Sequence, residues 1–166
     1  MLNRKYKRSK LGKITHIVFD HDGTLVDTSG LKRYAYTGIK ELLQFLKEQN
    51  IEMSVWTARS RESTKSILED LKLLSYFSGI CGGSDAASKP SAEGIEQLVF
   101  GENPKNVIVI GDSLGDIIGA KKFGATALAA MWGHQQASAA KAYAEHGADE
   151  SFLSVDECKN YIAKRL

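Results

Sequence analysis

Two carboxylates come directly after an apolar run in the stretch Val18-Phe19-Asp20-His21-Asp22-Gly23-Thr24-Leu25-Val26-Asp27. The run begins at Ile14 and is typical of a buried strand, so we expect Asp20 and Asp22 to lie where that strand ends. Residues two apart on an extended chain point to the same side. The pair could therefore hold a divalent cation, or divide the roles of nucleophile and acid/base. It could equally be two solvated acids that close a turn.

The composition indicates one globular domain. A chain of 166 residues with 43% hydrophobic and 25% charged side chains is long enough for a single core. No apolar run approaches the length of a membrane span, and no apolar segment of a secretory signal follows the basic N-terminus. Cys81 and Cys158 fit no metal-binding or redox spacing. We therefore expect a cytoplasmic protein with no membrane partner.

Charge is distributed unevenly along the chain. Six of the 22 basic side chains lie in residues 1–13, and all 20 acidic side chains come after them. We expect residues 1–13 to form a flexible basic tail and residues 14–166 to form one domain. A basic tail can contact nucleic acid. The domain itself has no basic stripe interleaved with aromatic residues, so a nucleic-acid partner is not expected.

Apolar runs of strand length alternate with helical repeats along the domain. Strands are predicted at 14–20, 51–56, 79–82, 107–110, 126–130 and 150–153, with helices between them. This alternation predicts a three-layer α/β/α, doubly wound fold with a mostly parallel sheet of five to six strands. The segment 27–37 shows neither period, and Pro90 is expected in the first turn of a helix.

Polar residues follow four of the predicted strands: Asp20 and Asp22, Thr57, Lys89, and Asp112 with Asp116. The carboxyl ends of parallel strands face one crevice in a doubly wound sheet. Carboxylates hold hard cations such as Mg²⁺. The cation, a hydroxyl and an ammonium group could then orient a phosphoryl group while a remaining carboxylate attacks phosphorus.

The same residues resemble the four motifs of the haloacid dehalogenase superfamily of phosphohydrolases. The first motif resembles Asp20-His21-Asp22-Gly23-Thr24-Leu25, the second Thr57, the third Lys89-Pro90, and the fourth Gly111-Asp112-Ser113-Leu114-Gly115-Asp116. Their order and spacing agree, and the core is similar to that of phosphoglycolate phosphatases.

This resemblance implies a Mg²⁺-dependent phosphatase. Asp20 would be the nucleophile and a Mg²⁺ ligand, and Asp22 would be the general acid/base, with its backbone carbonyl on the metal. Asp112 would bind Mg²⁺, and Asp116 would bind it directly or through water. The phosphoryl oxygens would be held by Thr57, Ala58 and Lys89.

Many members of this superfamily insert a cap domain that closes over a small substrate. Here only residues 27–37 separate the acidic turn from the next helix, so the resemblance implies a member without a substantial cap. A small phosphate ester is the expected substrate. A neighbouring subunit that covers the crevice, a large substrate and an open, promiscuous site all remain open. Residues Met131-Trp132-Gly133-His134 could lie at the rim of the crevice.

Two other functions stay open. The stretch Gly111-Asp112-Ser113-Leu114-Gly115 also fits the G-x-S-x-G nucleophile elbow. Ser113 with His134 or His146 would then make a serine acyl hydrolase. The second alternative is a phosphate-binding or regulatory relative with little turnover.

Overall fold

The structure is a computed structural model that describes residues 12–133 and 138–166. Most of the predicted basic tail therefore lies outside the described residues, as does His134. The domain boundary at residue 14 stays a prediction.

The described chain contains eight strands and six α-helices, with two short 3₁₀ helices at Leu74–Tyr76 and Pro104–Asn106. In chain order the elements are β1 (His16–Phe19), β2 (Val26–Asp27), β3 (Tyr34–Ala35), α1 (Ile39–Glu48), β4 (Glu52–Trp56), α2 (Arg61–Asp70), β5 (Gly79–Cys81), α3 (Glu93–Leu98), β6 (Val107–Gly111), α4 (Leu114–Phe123), β7 (Thr126–Ala130), α5 (Ala139–Glu145), β8 (Glu150–Phe152) and α6 (Val155–Ala163).

Six of the strands form one sheet in the order β5-β4-β1-β6-β7-β8, and every neighbouring pair is parallel. The chain runs outward from β1 through β4 to β5, then returns to β6 on the other side of β1 and runs outward again. This reversal creates a crevice at the carboxyl ends of β1 and β6, where ligands bind in such sheets. The predicted fold class is confirmed.

Two apolar cores lie on opposite faces of the sheet. Successive strand side chains alternate between them, so Ile17 and Phe19 lie in one core and Val18 lies in the other. Helices α1, α2 and α6 cover the first face, and α3, α4 and α5 cover the second. The result is the predicted three-layer arrangement.

Helix α1 forms where its apolar spacing predicts. Its buried stripe consists of Ile39, Leu42, Leu43 and Leu46, all completely buried. These residues recur at intervals of three and four, which places them on one side of a helix. The helix ends at Glu48, two residues before the expected end, and the chain then turns through Asn50 with a φ of 56°.

The segment without a clear period is a small antiparallel hairpin. Val26 pairs with Ala35 and Asp27 with Tyr34, so β2 and β3 form a separate two-stranded sheet. Within the described residues, only this hairpin and α1 connect β1 to β4. The chain has no inserted cap at this position, as predicted.

The expectation for Pro90 is wrong. Helix α3 begins at Glu93, and Pro90 lies in the preceding loop. That loop is held from two sides, because the backbone N–H of Glu93 donates to Ser91 Oγ and the Lys89 side chain is bound inside the crevice. Among the helices described, none has the length and apolar character that crossing a bilayer requires.

Replacing Leu42 by Ala should lower the free energy of unfolding by about 2–5 kcal/mol, because it removes a completely buried side chain between α1 and the sheet. Leu31→Ala is the matched control, since Leu31 is fully exposed, and it should change that free energy by less than about 0.5 kcal/mol. Urea denaturation of both variants measures the difference. Equal losses would contradict the packing of α1.

Candidate active site

The crevice between β1 and β6 gathers three carboxylates. Asp20 follows β1, Asp112 follows β6, and Asp116 lies in the first turn of α4. One carboxylate oxygen from each lies within 4.8 Å of the others. Asp116 is completely buried, Asp20 is nearly so and Asp112 is half-buried. The sequence predicted that these three residues would meet, and the structure brings them together.

An all-oxygen cluster of this kind suits Mg²⁺. The group is made of hard, anionic ligands, which are the donors that this cation prefers. Burial and the neighbouring charge of Asp116 raise the pKa of Asp20 well above its ordinary value, although Lys89 opposes the shift. A cation in this cluster would relieve that repulsion, so the residues present fit the predicted metal.

Lys89 supplies the positive charge within this cluster. Its Nζ donates to Asp20 Oδ1 and to the Trp56 carbonyl oxygen, both at 2.9 Å, and also to Asp116 Oδ1. The same ammonium lies 4.4 Å from the centre of the Trp56 ring. Burial alone would lower the pKa of Lys89, but the charges of Asp116 and Asp20 raise it above its ordinary value. All three N–H donors of Lys89 thus have partners on this chain.

Asp116 has a second set of contacts that fixes its orientation. Its Oδ2 accepts from the backbone N–H and the hydroxyl of Ser113, at 3.0 and 2.8 Å, and Ser113 Oγ accepts from the Asp116 backbone N–H. This reciprocal pair is a capping box that begins α4. It holds the Asp116 carboxylate at the N-terminus of α4, next to Lys89.

These contacts bear on the serine hydrolase alternative. Ser113 Oγ is bonded to Asp116, whereas His146 Nδ1 lies 2.7 Å from the carbonyl oxygen of Ala142. No hydrogen bond joins Ser113 to His146, and both residues belong to the described part of the chain. His134, the other candidate base, does not. The described residues therefore show no nucleophile–base pair at Ser113.

The Asp22 carboxylate is held outside the cluster of three. Arg59 approaches it with two nitrogens, and Nη2 lies 2.7 Å from Oδ1. Thr28 Oγ1 donates to Oδ1 at 2.7 Å, and His21 Nδ1 lies 3.3 Å from Oδ2. Burial tends to raise the pKa of Asp22, but the hydrogen bonds from His21, Arg59 and Thr28 outweigh it and bring the pKa well below its ordinary value.

Thr57 and Ala58 directly follow the end of β4 and line a cavity together with Lys89. Thr57 is buried, and its Oγ1 accepts from the Arg59 backbone N–H at 3.1 Å, whereas Ala58 is exposed. All three predicted phosphoryl ligands line a cavity of about 60 Å³, together with the loop after β5. The structure thus brings the three residues around one cavity. Their role as phosphoryl ligands stays a prediction.

Several residues at the site were not predicted. Arg59 stands two residues after Thr57, and a charged residue at a strand end was a signal that could have identified it. Thr28 reaches Asp22 only because the hairpin folds back. The Tyr143 hydroxyl donates to the Asp112 carbonyl oxygen from α5, and Trp132 Nε1 donates to the Thr24 carbonyl oxygen at 2.9 Å. Trp132 differs from the others, because it belongs to the stretch expected at the crevice rim; it is buried, and it contacts the turn that follows Asp22.

Asp20→Asn should stabilise the metal-free protein by about 1 kcal/mol. An acid whose pKa is raised by folding destabilises the fold above its unfolded-state pKa, and Asp20 is such an acid. The gain should be present at pH 7–8 in EDTA and vanish near pH 3, below about the ordinary Asp pKa, where Asp20 is protonated in both states. Urea denaturation at both pH values tests this, and a less stable variant at pH 8 would contradict it.

Gly23→Ala should disturb Asp112. Gly23 has a φ of +79°, and an added Cβ would lie 2.1 Å from Asp112 Oδ2. Gly101 is the matched control, because its φ is +82° and nothing lies within 4 Å of its added Cβ. Both variants should lose about 1 kcal/mol of stability to backbone strain. Only Gly23→Ala should weaken Mn²⁺ binding, by about tenfold, as measured by paramagnetic resonance. Equal Mn²⁺ affinities in the two variants would contradict this arrangement.

Comparisons with known proteins bear on the family and the fold of this chain. The model of the haloacid dehalogenase-like hydrolase family matches residues 31–130, a range that contains Thr57, Lys89, Asp112 and Asp116 but begins after Asp20 and Asp22. The chain is 31% identical over 102 residues to the phosphoglycolate phosphatase of Aquifex aeolicus, covering 60% of this chain and 48% of that protein. The phosphoglycolate phosphatase of Mannheimia succiniciproducens is also 31% identical over 102 residues, with 46% of its length covered.

The matched region thus spans about half the length of these relatives. Among solved structures, a predicted phosphatase from Clostridium acetobutylicum superposes with a TM-score of 0.81 at 21% identity, over 92% of this chain and all of that one. A predicted phosphoglycolate phosphatase from Haemophilus somnus gives a TM-score of 0.78 at 19% identity, over 93% and 98% of the two chains. At such identities the structures establish the fold alone. Since the family model matches more than half of the residues of this chain, the chain belongs to the haloacid dehalogenase-like hydrolase family.

Proposed function

We propose that this chain is a Mg²⁺-dependent phosphomonoester hydrolase that acts through an aspartyl-phosphate on Asp20. The observation that carries the proposal is the environment of Asp20. Its buried carboxylate lies 2.9 Å from the Lys89 ammonium and shares one cluster with Asp112 and Asp116. Because burial and Asp116 raise the pKa of Asp20 more than Lys89 lowers it, Lys89 and the proposed Mg²⁺ would together keep this nucleophile ionised among other acids.

Mg²⁺ would be held by Asp20, Asp112 and the Asp22 backbone carbonyl, with Asp116 bound directly or through water, and it would neutralise charge on the phosphoryl group. Asp116 already has Lys89 and Ser113 as partners, which favours the indirect mode for this residue. Thr57, Ala58 and Lys89 line one cavity, in which they would bind the phosphoryl oxygens, and the Lys89 ammonium connects it to Asp20.

The first half-reaction forms a bond between an Asp20 carboxylate oxygen and phosphorus and breaks the bond to the leaving oxygen. Asp22, protonated once it no longer accepts the hydrogen bonds that lower its pKa, gives its proton to that oxygen. In the second half-reaction, Asp22 accepts a proton from water, the water oxygen attacks phosphorus, and Asp20 is released together with inorganic phosphate. The Asp22 carboxylate must leave its position on Arg59 to act on the leaving oxygen, since it lies outside the cluster that holds Asp20.

The substrate class proposed is a small phosphate ester. The relatives' names make 2-phosphoglycolate the first compound to test, within a panel of sugar phosphates and nucleotides. A second subunit that covers the open crevice and a cytoplasmic location stay predictions. A phosphate-binding relative with little turnover is the alternative that the test must separate.

Purified protein should hydrolyse p-nitrophenyl phosphate in the presence of Mg²⁺ and stop when EDTA is added. Asp20→Asn should lower turnover by about a thousandfold or more, because an amide is a poor nucleophile. Asp27→Asn is the control, since Asp27 is a half-buried acid of β2 that accepts hydrogen bonds from Ser29 and lies outside the acidic cluster, and its rate should be unchanged.

Three outcomes would speak against the proposal. Full activity in Asp20→Asn would remove this residue from the reaction. Tight phosphate binding without turnover in the wild type would favour the regulatory alternative. Hydrolysis of p-nitrophenyl acetate that disappears in Ser113→Ala would favour the serine hydrolase.

A further inference from the structure

Arg59 makes the most extensive ion pair at the crevice. Its Nε lies 3.1 Å from Asp22 Oδ2 and 3.3 Å from Oδ1, and its Nη2 lies 2.7 Å from Oδ1. Its remaining nitrogen, Nη1, donates to Ser63 Oγ on helix α2 at 3.0 Å. The guanidinium is thus anchored on one side and presents its other side to a carboxylate.

The pair is accessible from solvent. The side chains of Asp22 and Arg59 are 36% and 26% exposed, whereas Asp20 and Lys89 deeper in the crevice are 11% and 13% exposed. Arg59 also belongs to the loop that lines the phosphoryl cavity, because its backbone N–H donates to Thr57 Oγ1. The Arg59–Asp22 pair is therefore more open to solvent than the Asp20–Lys89 pair, and it lies next to the residues at the end of β4.

The Asp22 carboxylate can be exchanged for another anion on the Arg59 guanidinium. The planar guanidinium fork matches a carboxylate and a phosphoryl group equally well, so each can occupy the same two donors. Asp22 is the residue that the proposed reaction requires elsewhere. We therefore expect another anion to replace the Asp22 carboxylate on the Arg59 guanidinium when Asp22 moves to the leaving oxygen.

We propose that Arg59 is a specificity-determining residue, an anion receptor that Asp22 covers and that an anionic group of the phosphate ester takes over. Binding of that group and release of the Asp22 carboxylate are then one event. The inference rests on the proposed function, because it assigns Asp22 a second position at the leaving oxygen. The anionic group is either the phosphoryl group itself or a carboxylate on the leaving group.

The test is a double-mutant cycle read by binding, with probes that cannot be hydrolysed. Isothermal titration calorimetry of the full chain with Mg²⁺ compares 3-phosphonopropionate, which carries a carboxylate, with propylphosphonate, which does not. The proteins are the wild type, Asp22→Asn, Arg59→Ala and the double variant. Arg61→Ala is the matched control, since Arg61 stands two residues later and pairs with Asp85 instead.

Asp22→Asn should bind the probe about tenfold more tightly than the wild type, because the guanidinium no longer has to leave an anionic partner. The gain should be absent when Arg59 is Ala, and Arg61→Ala should bind like the wild type. A gain with both probes assigns the phosphoryl group to Arg59, and a gain with 3-phosphonopropionate alone assigns the carboxylate.

Unchanged or weaker binding in Asp22→Asn would overturn the inference and leave Arg59 as a residue that only positions Asp22. A gain that persists without Arg59 would overturn it too, since general charge repulsion would then explain it. Arg59→Lys, which keeps the charge but loses the fork, should lose most of the gain and guards against misfolding of the Ala variant. Because no probe turns over, a wild type without phosphatase activity would refute the proposed function while leaving this cycle interpretable.

Discussion

The contact between the Lys89 ammonium and two buried carboxylates is the interaction on which the site depends. Asp20 and Asp116 lie in a space from which water is largely excluded, where like charges repel strongly. One ammonium placed between them offsets that repulsion and stays charged because of it. Three aspartates against one lysine still leave an excess of negative charge. That excess makes the cluster a good site for a cation and a poor contributor to stability without one.

Sheet topology makes this meeting unavoidable. The chain reverses its direction of travel across the sheet between β5 and β6, so the ends of β1 and β6 face the same crevice. Asp20 and Asp112 come from those two ends, and the loop after β5 brings Lys89 over Trp56 to meet them. Residues 92 positions apart along the chain thereby share one charge cluster. Helix α4 adds Asp116 through its capping box.

Two aspartates that stand two residues apart have opposite surroundings. Asp20 lies beside other acids, and its pKa is raised, whereas Asp22 accepts hydrogen bonds from Arg59, Thr28 and His21, and its pKa is lowered. Alternation along an extended chain suggested that their side chains would act on one side together. The chain leaves the strand at Asp20 and turns at once, with the backbone N–H groups of Thr24, Leu25 and Val26 donating to the His21 carbonyl oxygen. That turn separates the two carboxylates and gives each its own chemistry.

The sequence by itself determined the three layers, the mostly parallel, doubly wound sheet and the residues at the strand ends. Apolar periodicity is local, and parallel strands with helical connections allow few arrangements, so Asp20, Lys89 and Asp112 could be placed in one crevice in advance. Only the tertiary structure decided which charges pair there. The grip of Arg59 on Asp22, the reach of Thr28 from the hairpin and the contact of Tyr143 with Asp112 join segments whose spacing carries no period. Such contacts depend on how the loops pack against the sheet. The distance between two side chains on different loops cannot be read from the local sequence of either loop.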